Sequence, residues 1–72
     1  MYKFVLNHKE VVILNGLKTI REKKGLSQRE LGEKLGLASR TIYQYETDRR
    51  FPSKKILLRM ADYFECTVND LL

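Results

Sequence analysis

Hydrophobic and polar residues recur with a helical period along most of the chain. The clearest case is the segment 39–46, which separates into two opposite faces on a wheel of about 3.6 residues per turn. One face carries Ala38, Thr41, Ile42 and Tyr45, and the opposite face carries Ser39, Arg40, Tyr43 and Gln44. We therefore predict a helix over about 39–46 that packs its apolar side on a core and turns its polar side outward.

Four further helices are indicated by apolar stripes and by the residues that cap them. The first should occupy about 16–24, and the fifth should be a single turn at the end of the chain. Residue types that open or close helices stand at the expected places, namely Gly25, Ser27 with Glu30, Gly36, Ser53, and Thr67 with Asp70. The pattern predicts a mainly α fold, a compact bundle of five short helices.

Residues 1–14 have a different character. Two stretches rich in β-forming residues flank the polar tetrapeptide 7–10, which favours a short β-hairpin. The alternative is a long first helix that begins at Asn7, with Glu10 three residues later as its capping partner. We expect 1–14 to form an N-terminal extension whose apolar content suits dimerisation, and 15–72 to form the helical domain.

Composition narrows the class of protein. A chain of 72 residues makes one small domain, and a net charge of +5 favours an anionic partner. The lone cysteine, Cys66, excludes an internal disulfide, and with His8 as the lone histidine no zinc site of the usual spacing can form. We therefore expect neither a metal nor another cofactor.

The inventory of reactive side chains is too small for an enzyme. With a single histidine, a single cysteine and no glycine-rich phosphate loop, we expect no catalytic site and no small-molecule substrate. The N-terminal apolar run breaks after a few residues, and no stretch approaches the ~20 apolar residues of a membrane span. These features predict a soluble, cytoplasmic protein without a membrane partner.

The segment Leu17–Leu72 resembles the lambda-repressor and Cro-like, or XRE-type, helix-turn-helix family. The motifs that carry the resemblance follow one another in order at 26–37, 41–46, Pro52 and 61–72. The resemblance implies a five-helix, lambda-repressor-like domain that binds double-stranded DNA. It further implies a transcriptional regulator that inserts the helix at 39–46 into the major groove and binds a palindromic operator as a homodimer.

Candidate contacts follow from the resemblance and from the chemistry of the side chains. Base contacts are expected from the outward face of the third helix, from Ser39, Arg40, Tyr43 and Gln44. Arg40 can donate two hydrogen bonds to guanine, and Gln44 can pair with adenine or contact a phosphate. Tyr43 can pack on a thymine methyl group or donate to a phosphate.

Phosphate contacts are expected from residues that flank the third helix or begin the second and fourth helices, namely Ser27, Gln28, Thr47, Arg49, Arg50 and Lys54. The resemblance assigns the contact of Gln28. It also implies that Arg21 and Glu46 form a structural ion pair inside the domain, and that Gly32 is small because the second and third helices cross closely there.

Two positions depart from the family pattern. Ala38 stands where a capping Ser or Thr is usual, so either Ser39 takes over the cap and is withdrawn from the bases, or one backbone donor is left unsatisfied. The loop after the third helix has Thr47-Asp48 where Asn-Gly is usual. Asp48 thereby places a carboxylate near the expected phosphates.

A protein-interaction module of the same fold, such as an antitoxin, is the alternative function. Its main partner would be a protein, and an apolar outward face on the third helix would indicate it. The polar face observed in the sequence favours DNA.

Overall fold

A computed structural model describes residues 4–5, 11–12, 14 and 16–72. Two short strands, β1 (Phe4–Val5) and β2 (Val11–Val12), pair antiparallel in a two-stranded sheet. This is the pairing that the predicted hairpin requires. The predicted connection at 7–10 lies outside the described residues, so the hairpin as a whole stays a prediction.

Five helices follow within residues 16–72, and the prediction of a mainly α bundle is confirmed. They are α1 (Leu17–Lys23), α2 (Gln28–Leu35), α3 (Ser39–Glu46), α4 (Lys54–Phe64) and α5 (Val68–Leu71). The first helix is slightly shorter than predicted, because Gly16 and Lys24 are its caps rather than helical residues. Each helix in this part of the chain is too short or too polar to cross a bilayer.

Two capping boxes open α2 and α5. The Glu30 amide donates to Ser27 Oγ at 2.9 Å, and the Ser27 amide donates to Glu30 Oε1 at 2.8 Å. Thr67 and Asp70 exchange the same two bonds at 3.2 and 3.0 Å. Because the backbone amides of Ser27 and Thr67 stabilise the ionised carboxylates, the pKa values of Glu30 and Asp70 lie below the ordinary range.

The turn between α2 and α3 runs against Gly32. A Cβ atom at this position would clash with the carbonyl oxygen of Leu37. The Leu37 amide also donates to the Gly32 carbonyl at 2.7 Å, so the turn cannot move away without losing this bond. The small residue expected at Gly32 is therefore required by the turn that sets α3 against α2.

The helices enclose one hydrophobic core, made of Leu14, Leu17, Leu31, Leu35, Ile42, Tyr45, Leu57, Met60, Ala61, Phe64 and Leu71. Leu14 is only 3% exposed, so the last residue of the predicted N-terminal extension packs with the helices. The Gly16 amide donates to the Leu71 carbonyl at 2.8 Å and ties the start of α1 to α5. Cys66 packs half-buried against this core, and burial raises the pKa of its thiol.

Candidate nucleic-acid interface

Helix α3 is oriented as the sequence predicts. Its inward residues Ile42 and Tyr45 are 0% and 5% exposed. On the opposite side Ser39 and Arg40 are exposed, and 45% of the surface of Tyr43 reaches solvent. The apolar half of the helix fixes its direction, because rotation about the helix axis would bring Ile42 into water.

Three of the four candidate base contacts gather around one open recess. Arg40, Tyr43 and Gln44 line it together with Arg49 from the loop behind α3. The two guanidinium groups, the phenol and the carboxamide at this recess supply hydrogen-bond donors and acceptors of the kinds that base edges and phosphates bind. The fourth candidate, Ser39, is exposed at the first position of the same helix.

The structure decides the question of the α3 cap. Ala38 is the N-cap residue, with an extended backbone and no side-chain hydrogen bond. Ser39 therefore does not take over the cap, and its hydroxyl stays on the outward surface. Ala38 itself is exposed, so its assignment to the buried face is wrong, because the N-cap lies just outside the helix.

The loop after α3 is hydrogen-bonded to the end of that helix. The amide and the hydroxyl of Thr47 both donate to the Tyr43 carbonyl, at 3.0 and 2.8 Å. The amides of Arg49 and Arg50 donate to the Gln44 carbonyl at 2.9 and 3.2 Å. The three candidate phosphate contacts of this loop are thus exposed but held at fixed positions relative to α3.

A buried ion pair joins α1 to the end of α3. Arg21 Nε donates to Glu46 Oε2 at 2.6 Å and Arg21 Nη2 donates to Glu46 Oε1 at 3.1 Å, with side chains only 9% and 2% exposed. Arg21 Nη1 also donates to the Leu26 carbonyl at 2.6 Å. The hydrogen bond to Glu46 raises the pKa of Arg21 above its ordinary value. The structure thus contains the internal pair that the resemblance implies.

Gln28 has a second role that the sequence did not indicate. Its amide nitrogen donates to Glu46 Oε1 at 2.9 Å, which joins the start of α2 to the ion pair. A carboxamide has two N–H donors and one acceptor, so this bond leaves capacity for an outside partner. Of the other phosphate candidates, Ser27 is exposed at the start of α2 and Lys54 at the start of α4.

Arg59 is a supporting residue that the sequence analysis missed. Its Nη2 atom donates to the carbonyl of Leu35, the last residue of α2, at 2.7 Å. The contact spans 24 residues of sequence and therefore has no local signal. It satisfies a carbonyl that has no partner within the helix, directly before the turn that leads to α3.

The family model that matches this chain is described as helix-turn-helix and covers residues 17–71, which contain all five helices. The chain belongs to this helix-turn-helix family. Among the described residues, no group of three metal-binding side chains lies close enough together to hold an ion. Two relatives of the chain, ImmR and AnsR, are transcriptional regulators, and the helix-turn-helix family is not a family of enzymes.

Two similar proteins come from Bacillus subtilis (strain 168). The HTH-type transcriptional regulator ImmR is 34% identical over 56 residues, which are 78% of this chain and 44% of ImmR. The HTH-type transcriptional regulator AnsR is 37% identical over 59 residues, which are 82% of this chain and 51% of AnsR. The chain therefore spans about half the length of these relatives.

A solved structure has the same helix-turn-helix fold. The P22 c2 repressor, crystallised in complex with a synthetic operator, superposes with a TM-score of 0.75 at 24% sequence identity. The match covers 86% of this chain and 96% of the repressor chain. At this identity the likeness establishes the fold of the chain, and function has to be argued from its own side chains.

Proposed function

We propose that this protein is a sequence-specific, DNA-binding transcriptional regulator that acts in the cytoplasm, inserts α3 into the major groove and binds a palindromic operator as a homodimer. One observation carries the proposal. The apolar half of α3 is buried, whereas Arg40, Tyr43 and Gln44 surround an outward recess. The P22 c2 repressor, which has the same fold, was crystallised with an operator, and this supports double-stranded DNA as the partner.

The base contacts are assigned to the outward residues Ser39, Arg40, Tyr43 and Gln44. Arg40 donates two hydrogen bonds to O6 and N7 of a guanine, and Gln44 pairs with an adenine. Ser39 accepts or donates a single bond at the start of the helix. Together they recognise a short sequence, because hydrogen-bond patterns in the major groove distinguish all four base pairs.

The phosphate contacts are assigned to residues at the edges of the helix-turn-helix, namely Ser27, Gln28, Thr47, Arg49, Arg50 and Lys54. Gln28 uses its second N–H for a phosphate while the first holds Glu46. The loop arginines supply charge from positions that the end of α3 fixes. These contacts set affinity and orientation and carry no sequence preference of their own.

Dimerisation is assigned to the N-terminal extension. A two-fold dimer would present two copies of α3 to half-sites about 34 Å apart, one turn of the duplex, or a multiple of it. Strands at residues 4–5 and 11–12 suit pairing between subunits. Sedimentation should give a dimer for the full chain and a monomer after removal of residues 1–13, which spares the buried Leu14. An unchanged dimer would remove this assignment.

Selection from random duplexes tests the DNA function. The purified chain should enrich one inverted-repeat sequence, with half-site centres one helical turn or a multiple apart. The Arg40→Ala variant, carried through the same selection, should enrich a sequence with one less defined position per half-site. Absence of any enriched sequence, with a correctly folded chain, would contradict the proposal and leave a protein partner as the alternative.

A further inference from the structure

We propose that Asp48 lowers the affinity of this protein for all DNA sequences alike, by placing an unneutralised carboxylate beside the phosphates that flank α3. The inference rests on the proposed DNA-binding function and adds a residue that acts against binding.

The backbone of Asp48 is held in place beside the end of α3. Asp48 lies in the loop between Thr47 and Arg49, whose amides donate to the carbonyls of the last turn of α3. A bond on each side of Asp48 fixes the backbone of this residue relative to α3. In the proposed complex, a phosphate bound by Arg49 therefore lies next to the loop that carries Asp48.

The charge of Asp48 is not neutralised within residues 16–72. Its side chain is exposed, and the ion pairs in this part of the chain join other residues. The side-chain hydrogen bonds found there likewise involve other groups. Asp48 thus places a carboxylate without an ion-pair partner, among the described residues, in a loop whose other ionisable side chains, Arg49 and Arg50, are basic.

The backbone conformation at Asp48 accommodates this residue type but does not require its negative charge. Asp48 has a φ of +62°, in the left-handed region that glycine adopts at no steric cost. A negative charge just beyond the end of α3 also opposes the partial negative charge of the helix C-terminus. Asn would fit the same left-handed backbone without a charge, and the helix dipole disfavours a carboxylate here, so neither of them requires the charge of Asp48.

The effect on binding follows from the distance dependence of charge repulsion. A carboxylate about 6–8 Å from one phosphate, in a medium close to water, weakens binding roughly twofold to threefold at low salt. The repulsion does not depend on which bases follow the phosphate. It should fade as salt rises, because the two charges are screened over about 10 Å at 0.1 M salt.

Asp48→Asn tests the proposed repulsion, because Asn keeps the size and shape of the side chain and tolerates the left-handed backbone while losing the charge. Asp62→Asn is the matched control, with the same charge change on an exposed residue near the far end of α4. Dissociation constants would be measured by fluorescence anisotropy at several salt concentrations. The two probes are the duplex selected by the full chain and a duplex of scrambled sequence.

We expect Asp48→Asn to bind both duplexes about two to three times more tightly per bound subunit at low salt. The plot of log K against log salt should steepen by up to about 0.9, and Asp62→Asn should match the unmodified protein. Equal affinity of Asp48→Asn and the unmodified protein would overturn the inference. So would weaker binding of the selected duplex alone, which would make Asp48 an acceptor for a cytosine amino group.

The two proposals fail in different ways. If the unmodified protein binds the selected duplex and Asp48→Asn binds it no more tightly, the proposed role of Asp48 is wrong and the DNA-binding function is supported. If neither protein binds any duplex at low salt, the proposed DNA-binding function is wrong, and the proposed role of Asp48 is wrong as well. A thermal melt of each variant shows whether the fold is intact.

Discussion

Single side chains around α3 differ in what they can recognise on a duplex. Arg40 projects from the helix itself, whereas Arg49 projects from the loop behind it, yet both line one recess. A guanidinium directed at base edges discriminates between sequences, and a guanidinium directed at the backbone does not. Substituting one arginine at a time therefore separates recognition from general affinity.

Arg40→Ala should weaken the specific complex by about 1–3 kcal/mol and relax the preference at one base position. Arg49→Ala should weaken specific and scrambled duplexes alike and reduce the salt slope by about 1. Lys23→Ala, an exposed residue in the last turn of α1, controls for the loss of one positive charge. Titration of both duplexes against all three variants measures these effects. Equal losses on both duplexes for Arg40→Ala would contradict its assignment to the bases.

Tyr43 offers two contacts that a single substitution can separate. If its ring packs on a thymine methyl group, Tyr43→Phe should bind as well as the unmodified protein, and replacing that thymine by uracil should weaken both. If its hydroxyl donates to a phosphate, Tyr43→Phe should weaken every duplex and the uracil replacement should have no effect. Binding of thymine-containing and uracil-containing operators distinguishes the two.

At the scale of whole elements, the helices depend on bonds at their ends as much as on apolar stripes. Helices this short leave a large share of their backbone groups without partners inside the helix. Two capping boxes and the contact from Arg59 to the Leu35 carbonyl satisfy some of these groups. The carboxylates of the two boxes also make helix stability depend on pH.

Acid should weaken the fold through the capping boxes. The pKa values of Glu30 and Asp70 are lower in the folded chain than in the unfolded chain, so ionisation favours the folded state. Their contribution is present above the unfolded-state pKa of about 4 and is lost as the pH falls through the folded-state values.

The double variant Glu30→Gln/Asp70→Asn should therefore melt at a lower temperature than the unmodified protein at pH 7, and the difference should shrink below about pH 4. Melting followed by circular dichroism across the pH range measures this. Asp62→Asn removes an exposed carboxylate that takes part in neither capping box and in none of the ion pairs among the described residues, and it is the control. A constant difference at all pH values would contradict the role of the two carboxylates.

At the scale of the molecule, the Arg21–Glu46 pair joins elements that are distant in sequence. It connects α1 to the last residue of α3, and through Gln28 to the first residue of α2. Because both side chains are buried, each requires the other to offset the loss of water. The orientation of α3 therefore depends on a contact inside the domain.

Arg21→Met or Glu46→Leu alone should lower the free energy of unfolding by about 3–5 kcal/mol, a large part of the total for a domain of this size. The double variant should lose less than the sum of the two, since it leaves no unpaired charge. The exposed pair Arg29–Glu33, at 3.4 Å, is the control and should contribute less than about 1 kcal/mol. Urea unfolding measures both cycles. Additive losses at Arg21 and Glu46 would contradict the coupling.

Much of the architecture follows from local information. The bounds of α3, the capping boxes of α2 and α5 and the burial of Tyr45 were predictable from the sequence, because periodicity and caps act over a few residues. The resemblance to a known family added the helix-turn-helix and the partner of Arg21. The outward face of α3 followed from the wheel alone.

Tertiary structure decided what depends on residues far apart in the chain. The contacts of Gln28 with Glu46 and of Arg59 with Leu35 span 18 and 24 residues, and no local pattern indicates either. The recess that unites Arg40 with Arg49 exists because loop amides fold back on the carbonyls of α3. Sequence determined which faces exist, and packing decided which polar groups meet, because a hydrogen bond at about 3 Å requires positions that local preferences do not set.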